Sequence, residues 1–161
     1  MSDKLKIYVA SSWRNTIQPA VVSFLRERGH EVYDFKNPPG RTGFSWSSIS
    51  VDWKNWTHEE YRKALFHPNA KAGFKSDFDS MQYANAFVLV LPCGASAHTE
   101  AGWAAGQYKP VIVVNLSTGG FEAELMYKIF DSYCSSWEEF KSEMEILEEG
   151  SIEAMNLNCN L

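Results

Sequence analysis

FVLVLPCGASAHTEAGWAAGQYKPVIVVN, residues 87–115, decides the fold. Phe87 to Leu91 form a continuous apolar run of strand formers cut off by Pro92 and Gly94, which is the pattern of a parallel strand buried on both faces. A helix follows. Its small residues Ala101, Gly102, Ala104, Ala105 and Gly106 let it lie close against a sheet, and Lys109-Pro110 stops it ahead of a second apolar run, Val111–Val114. The spacing predicts strand, loop, helix and parallel strand, with Glu100 in the first turn of the helix, just beyond the carboxyl end of a strand. Open α/β sheets bind ligands in the crevice outside those strand ends. A first-turn carboxylate also gains about 0.3–1 kcal/mol from the helix dipole, so Glu100 has a purely structural reading beside the functional one. In the functional reading, dipole and amide groups keep the carboxylate ionised, as a nucleophile requires.

Toward the N-terminus, residues 4–10 read as the first strand, residues 18–28 as a helix with Val21, Val22, Phe24 and Leu25 at helical spacing closed by Gly29, and residues 31–35 as the second strand. Such a unit crosses over right-handedly. Residues 37–56 break the rhythm with Pro38, Pro39, Gly40, Gly43 and the tryptophans Trp46, Trp53 and Trp56. The tryptophans argue against disorder, and the segment reads either as a flap over a site or as an irregular stretch packed on the body. Residues 37–75 as a whole count as an inserted flap segment. Thr57 caps a helix to about Phe66 that His67-Pro68 closes, and residues 74–85 form another, with Phe74, Phe78, Met81 and Ala84 inward and Asp77 one residue from that stripe. Beyond the central unit, residues 122–130 read as a helix with Leu125, Met126 and Ile129 inward, Tyr133-Cys134 as an edge strand, and Ser136 as the cap of a last helix to about Leu147. A tail, 148–161, closes the chain. These elements make an α/β fold, a flavodoxin-like doubly wound sheet of about five parallel strands with helices on both faces, in a single domain of residues 1–161.

Composition narrows the partners. Fifteen Lys and Arg against twenty Asp and Glu, with no long basic block, argue against a nucleic-acid polymer and leave only a small nucleotide held by local cations. No apolar run reaches the roughly 18–20 residues of a membrane span, and the first six residues lead straight into a strand rather than a signal core. The expectation is a soluble, cytoplasmic protein with no membrane partner. Cys93, Cys134 and Cys159 are odd in number and lack CxxC spacing. The histidines His30, His58, His67 and His98 are scattered without HExxH, so neither disulfides nor a metal is expected. Neither GxxxxGK[ST] nor GxGxxG occurs, which disfavours a nucleoside-triphosphatase or a dinucleotide reductase. No cofactor is expected.

Three constellations carry chemistry. Ser11, Ser12 and Arg14 follow the first strand, where hydroxyls and a guanidinium suit a phosphate or ribose, although Ser-Ser before a helix is also ordinary capping. Cys93-Gly94-Ala-Ser96-Ala-His98 looks like a nucleophile with a nearby base, yet His98 stands where a GxSxG elbow has its second glycine, and no third orienting group is assignable. Asp77 and Glu100 make the stronger pair. Two carboxylates in one cleft suit glycosidic chemistry, one attacking the anomeric carbon and the other managing the proton of the leaving group.

In order and spacing, Ile7-Tyr8-Val-Ala-Ser-Ser-Trp13, Asp77-Phe-Asp-Ser-Met81 before Ala84-Asn85, Thr99-Glu100-Ala-Gly102, and Glu124-Leu125-Met126 resemble the nucleoside 2-deoxyribosyltransferase family, whose relatives include hydrolases of deoxynucleoside monophosphates. The resemblance covers roughly residues 7–127. It implies that Glu100 is a nucleophile forming a glycosyl-enzyme, that Tyr8 positions it, that Asp77 serves the departing or incoming base, and that Trp13 lines the base pocket. It places Ser11, Ser12, Arg14, Gly94, Ser96, His98, Glu124 and Met126 among the substrate-binding positions, with a nucleoside or nucleotide as the small-molecule partner. A homo-oligomer is implied as well, with the segment around Glu124 entering a neighbouring subunit's site. Two departures stand out: Gly94 where transferases of the family often carry an aspartate, and Glu124 where they carry an asparagine. A nucleotide-sensing module without turnover and a flavodoxin-like interaction domain presenting Trp46, Trp53 and Trp56 remain alternatives.

Overall fold

In the computed structural model, which describes residues 4–158, the apolar runs become β1 (Lys6–Ala10), β2 (Glu31–Asp34), β3 (Ala86–Val90), β4 (Val111–Val114) and β5 (Ser132–Cys134). Cys159 and residues 1–3 lie outside the described residues. The strands form one sheet in the order β2-β1-β3-β4-β5, with Ile7 opposite Ala86, Phe87 opposite Val111 and Ile112 opposite Ser132 in parallel register. This is the flavodoxin-like order, and its topological switch point falls between β1 and β3.

Alternation along the strands sorts the two faces. Ile7, Val9, Val88, Val90, Ile112 and Val114 meet α1 (Gln18–Glu27) and α5 (Trp137–Asn158) through Val21, Val22, Leu25, Phe140 and Met144. Tyr8 and Phe87 point the other way, their rings 5.1 Å apart, toward α4 (Ala95–Gly106), whose Trp103 ring lies 6.3 Å from Phe87. Gly29 closes α1 at φ +92°, the left-handed conformation expected of a C′ residue.

Two C-terminal expectations are corrected. The last helix does not stop near Leu147 but runs to Asn158, because Gly150 costs only about 1 kcal/mol within a run of good helix formers. Glu148, assigned to the tail, is in fact buried. Its two carboxylate oxygens accept from Arg28 Nε at 3.0 Å and Nη2 at 2.7 Å, and His30 Nε2 lies 2.7 Å from Oε1. The Leu5 amide donates to His30 Nδ1 at 3.2 Å, so Nδ1 carries the lone pair and Nε2–H is the donor to Glu148. The second correction concerns residues 122–130, which form only a short 3-10 turn at Leu125–Ile129, with the Glu124 carboxylate accepting from the Met126 amide at 2.8 Å. Leu125, Met126 and Ile129 are exposed rather than inward, since three apolar residues over five positions cannot distinguish one solvent-facing turn from a packed helix.

By its internal contacts the chain divides into two units, one made of the stretches up to Tyr33 and from Ala84 onward, the other Asp34–Tyr83. In the second unit, Thr57 and Glu60 form a reciprocal capping box that starts α2 (His58–Ala64). Pro68 both ends that segment and opens α3 (Pro68–Tyr83), six residues before the expected start, because proline fits a first helical turn. Phe74 does not belong to the inward stripe of α3. A Cβ added at Gly73 would stand 2.8 Å from Phe44 Cβ, while Phe74 is exposed and stacks on Phe78 at 5.2 Å. Ala70, Gly73 and Met81 are inward, and helical spacing puts the half-buried Asp77 on that same stripe rather than beside it.

Candidate active site

The loop after β1 is tied across the switch point. Ser11 Oγ donates to the Val90 carbonyl at 2.9 Å, linking the carboxyl ends of β1 and β3. Buried Asn15 does more. Its Oδ1 accepts from the amides of Ile17 and Gln18 at 2.8 Å, capping the entry to α1, and its Nδ2 donates to the Pro92 carbonyl at 3.1 Å. Ser12 Oγ accepts from the Arg14 amide at 3.2 Å. Capping thus falls to Asn15, which leaves Trp13 and Arg14 exposed above the crevice. Sequence reasoning missed Asn15, although an asparagine three residues before a helix start is a known turn signal.

Glu100 stands in the second turn of α4, not the first. Gly94 is an extended N-cap and the strong helix formers Ala95 and Ala97 follow at once, so the helix starts at Ala95, and no acidic residue lies in its first turn. The dipole effect fades within that turn and is not what distinguishes Glu100. Position on the helix is. Ala97, Ala101 and Ala104 are buried against the sheet, and about 100° per residue puts half-buried Glu100 on one flank of that stripe, with His98 and Gly102 on the other. His98 and Gly102 line a cavity of about 680 Å³ with Glu122, Glu124, Met126 and Tyr127, all from the β4–β5 connection. Glu100 therefore sits on the flank toward β1. There Tyr8 is fully buried, its ring 5.2 Å from Tyr33 and 5.1 Å from Phe87.

The predicted site residues thus fall into groups. Tyr8, Ser11, Ser12, Trp13, Arg14 and Glu100 collect around the β1–β3 switch point, with Gly94 and Ser96 at the adjoining start of α4. His98, Glu124 and Met126 collect on the far flank of the same helix. Asp77 is carried by α3 of the second unit.

Cys93 and His98 do not form an armed dyad. His98 Nδ1 lies 2.9 Å from the Gly94 carbonyl, which can only accept, so Nδ1 bears the proton. Nε2 then accepts from the Tyr127 hydroxyl at 2.7 Å, and the two rings stack. The nitrogen nearest the Cys93 sulfur, 3.5 Å away, is thus the protonated one. Burial, with the negative charge of Glu100 adding to it, pushes the Cys93 thiol up to about 11. Because the thiolate is the reactive form, alkylation of Cys93 by iodoacetamide at pH 8 is expected to run roughly a hundredfold slower than that of free cysteine. Peptide mapping measures this, and labelling of Cys93 at the free-cysteine rate would restore a thiol nucleophile.

No protein-family model matches the chain, and no curated protein does. Solved structures match. A 2-deoxyribosyltransferase from the psychrotolerant bacterium Bacillus psychrosaccharolyticus aligns over 82% of this chain and 87% of its own, with 22% identity and a TM-score of 0.55. The chain has that transferase's fold. A CMP N-glycosidase from Clostridium botulinum aligns over 86% of this chain and 97% of its own, with 16% identity and a TM-score of 0.47. At 22% identity the likeness to the transferase concerns the arrangement of strands and helices alone, and the chemistry has to be argued from side chains.

Proposed function

We propose that the protein is an enzyme that cleaves or exchanges the N-glycosidic bond of a nucleoside or nucleoside monophosphate through a covalent intermediate on Glu100. The observation that carries the reading is the half-buried Glu100 carboxylate on the β1-side flank of α4, at the switch point that the Ser11–Val90 and Asn15–Pro92 hydrogen bonds hold together. In the proposed reaction the carboxylate attacks C1′ as the bond to the base breaks, and Asp77 delivers the proton that the departing base takes up. Water or a second base then displaces the sugar from the ester, restoring the carboxylate. Tyr8, fixed between two rings, would hold Glu100 in place. Trp13 would cover the base, and Ser11, Ser12 and Arg14 a 5′-phosphate, with Gly94 and Ser96 beside it. Because His98, Glu124 and Met126 line the opposite flank of α4, they would reach a Glu100 pocket only from a second copy of the chain, and the exposed Leu125, Met126 and Ile129 suit such a homo-oligomer.

The test is a panel of nucleosides and their monophosphates, with and without added free base, assayed for released base and exchanged product. If Arg14 meets a phosphate, its charge-assisted hydrogen bonds give monophosphates an advantage of about 1.5–3 kcal/mol in kcat/KM that Arg14→Ala erases. Asp77→Asn is expected to slow substrates with poor leaving bases more than activated ones. A preference for nucleosides unchanged in Arg14→Ala removes the phosphate subsite. Tight binding without any turnover across the panel leaves the nucleotide-sensing module.

A further inference from the structure

The second unit carries a small cavity that the proposed reaction does not use. Trp46, Trp53, Trp56, Thr57, His58 and Tyr61 enclose about 270 Å³. That is below the ~300–1,000 Å³ usual for drug-sized ligands, so it suits a headgroup rather than a whole nucleotide. The geometry of its walls is specific. The Trp46 ring stands at 79° to Trp56 and at 70° to Tyr61, with centroids 5.8 Å apart in both pairs, and Phe44 backs it at 84°. A flat base is gripped between parallel rings, whereas walls at right angles surround a rounded group. Aromatic faces are the negative ends of their ring quadrupoles and attract cations, above all quaternary ammonium ions that have no hydrogen-bond donors to leave unsatisfied. One of these rings already makes such a contact, because Lys54 Nζ lies 5.7 Å from the Trp53 ring centroid. No lysine or arginine is itself among the lining residues. The Glu60 carboxylate, bonded to the Thr57 amide at 2.7 Å, keeps a negative charge at the rim.

We propose that Trp46, Trp53, Trp56 and Tyr61 form an aromatic cage for a quaternary ammonium group. Two sources supply that chemistry, a free choline-like molecule and a trimethylated lysine in a peptide. The full-length protein is titrated by calorimetry and tryptophan fluorescence with choline, with its neutral carbon isostere 3,3-dimethylbutan-1-ol, with adenine, and with a trimethyl-lysine peptide beside its unmodified form. At least one quaternary ammonium probe is expected to bind about tenfold or more tightly than its uncharged or unmodified counterpart, and the better of the two identifies the source. Trp46→Ala and the milder Trp56→Leu are both expected to lower that affinity, so a folding defect in the first leaves the second to report. Equal binding of choline and the neutral isostere, tighter binding of adenine, or no cation binding at millimolar concentration each overturns the cage.

Discussion

Glu100→Gln is expected to lower kcat by at least about a thousandfold while leaving the melting temperature within a few degrees of the wild type. The two halves of that result come from different features of the same residue. Chemically, an amide cannot form the glycosyl ester, so loss of the carboxylate removes the step on which both hydrolysis and exchange depend. Structurally, Glu100 flanks the Ala97–Ala101–Ala104 stripe without belonging to it, and in the second turn of α4 it gains little from the helix dipole, so an isosteric amide disturbs little packing. A 2-fluoro-arabinosyl substrate analogue, whose fluorine slows breakdown of the intermediate, should add the mass of one sugar to the wild type at Glu100. An adduct on Cys93 would sink the carboxylate mechanism, and the protonated state of that thiol is the reason none is expected.

How far the sequence could carry this is visible in particular residues. The β3–α4–β4 unit was legible because apolar runs bounded by proline and glycine admit few other structures, and the doubly wound sheet followed from the alternation of strand-like and helix-like segments. The tie across the switch point was not, since Asn15 acts through the Pro92 carbonyl, and no local pattern announces a partner 77 positions away. Periodicity misled where the buried element was small. Phe74 drew the stripe of α3 toward itself, although Gly73, hidden beneath Phe44, marks the packed face. It misled again at Leu125, Met126 and Ile129, whose apolar spacing suits a surface as well as a core. Glu100 falls in the second turn of α4 rather than the first because the helix begins at Ala95, and element boundaries are what propensity fixes least well.

Glu148→Ala is expected to destabilise the protein by about 3–5 kcal/mol while leaving the site untouched, a loss of roughly 10 °C or more in Tm. The carboxylate joins α5 to the end of α1 and, through His30, to the start of β1. Removing it leaves the Arg28 guanidinium and the buried His30 Nε2–H without their acceptor. Glu148→Gln keeps an oxygen for one donor but loses the charge, and should fall between alanine and wild type. The pH dependence separates the ionic part. Burial raises the Glu148 carboxyl, but the hydrogen bonds from Arg28 and His30 and the charge of Arg28 outweigh it and hold the group below the usual carboxylate range. A folded-state value lower than the unfolded one, about 4.3, means that the stabilisation is fully present above that pH and is lost as the pH falls through the folded value. The difference in unfolding free energy between wild type and Glu148→Gln, followed by urea denaturation, should therefore shrink as the pH falls below about 4. A Glu148→Gln protein as stable as the wild type at neutral pH would mean that the ion pair contributes nothing beyond its hydrogen bonds, and a Glu148→Ala loss under about 1 kcal/mol would mean that α5 is held by its apolar contacts, those of Phe140, Met144 and Leu147 among them.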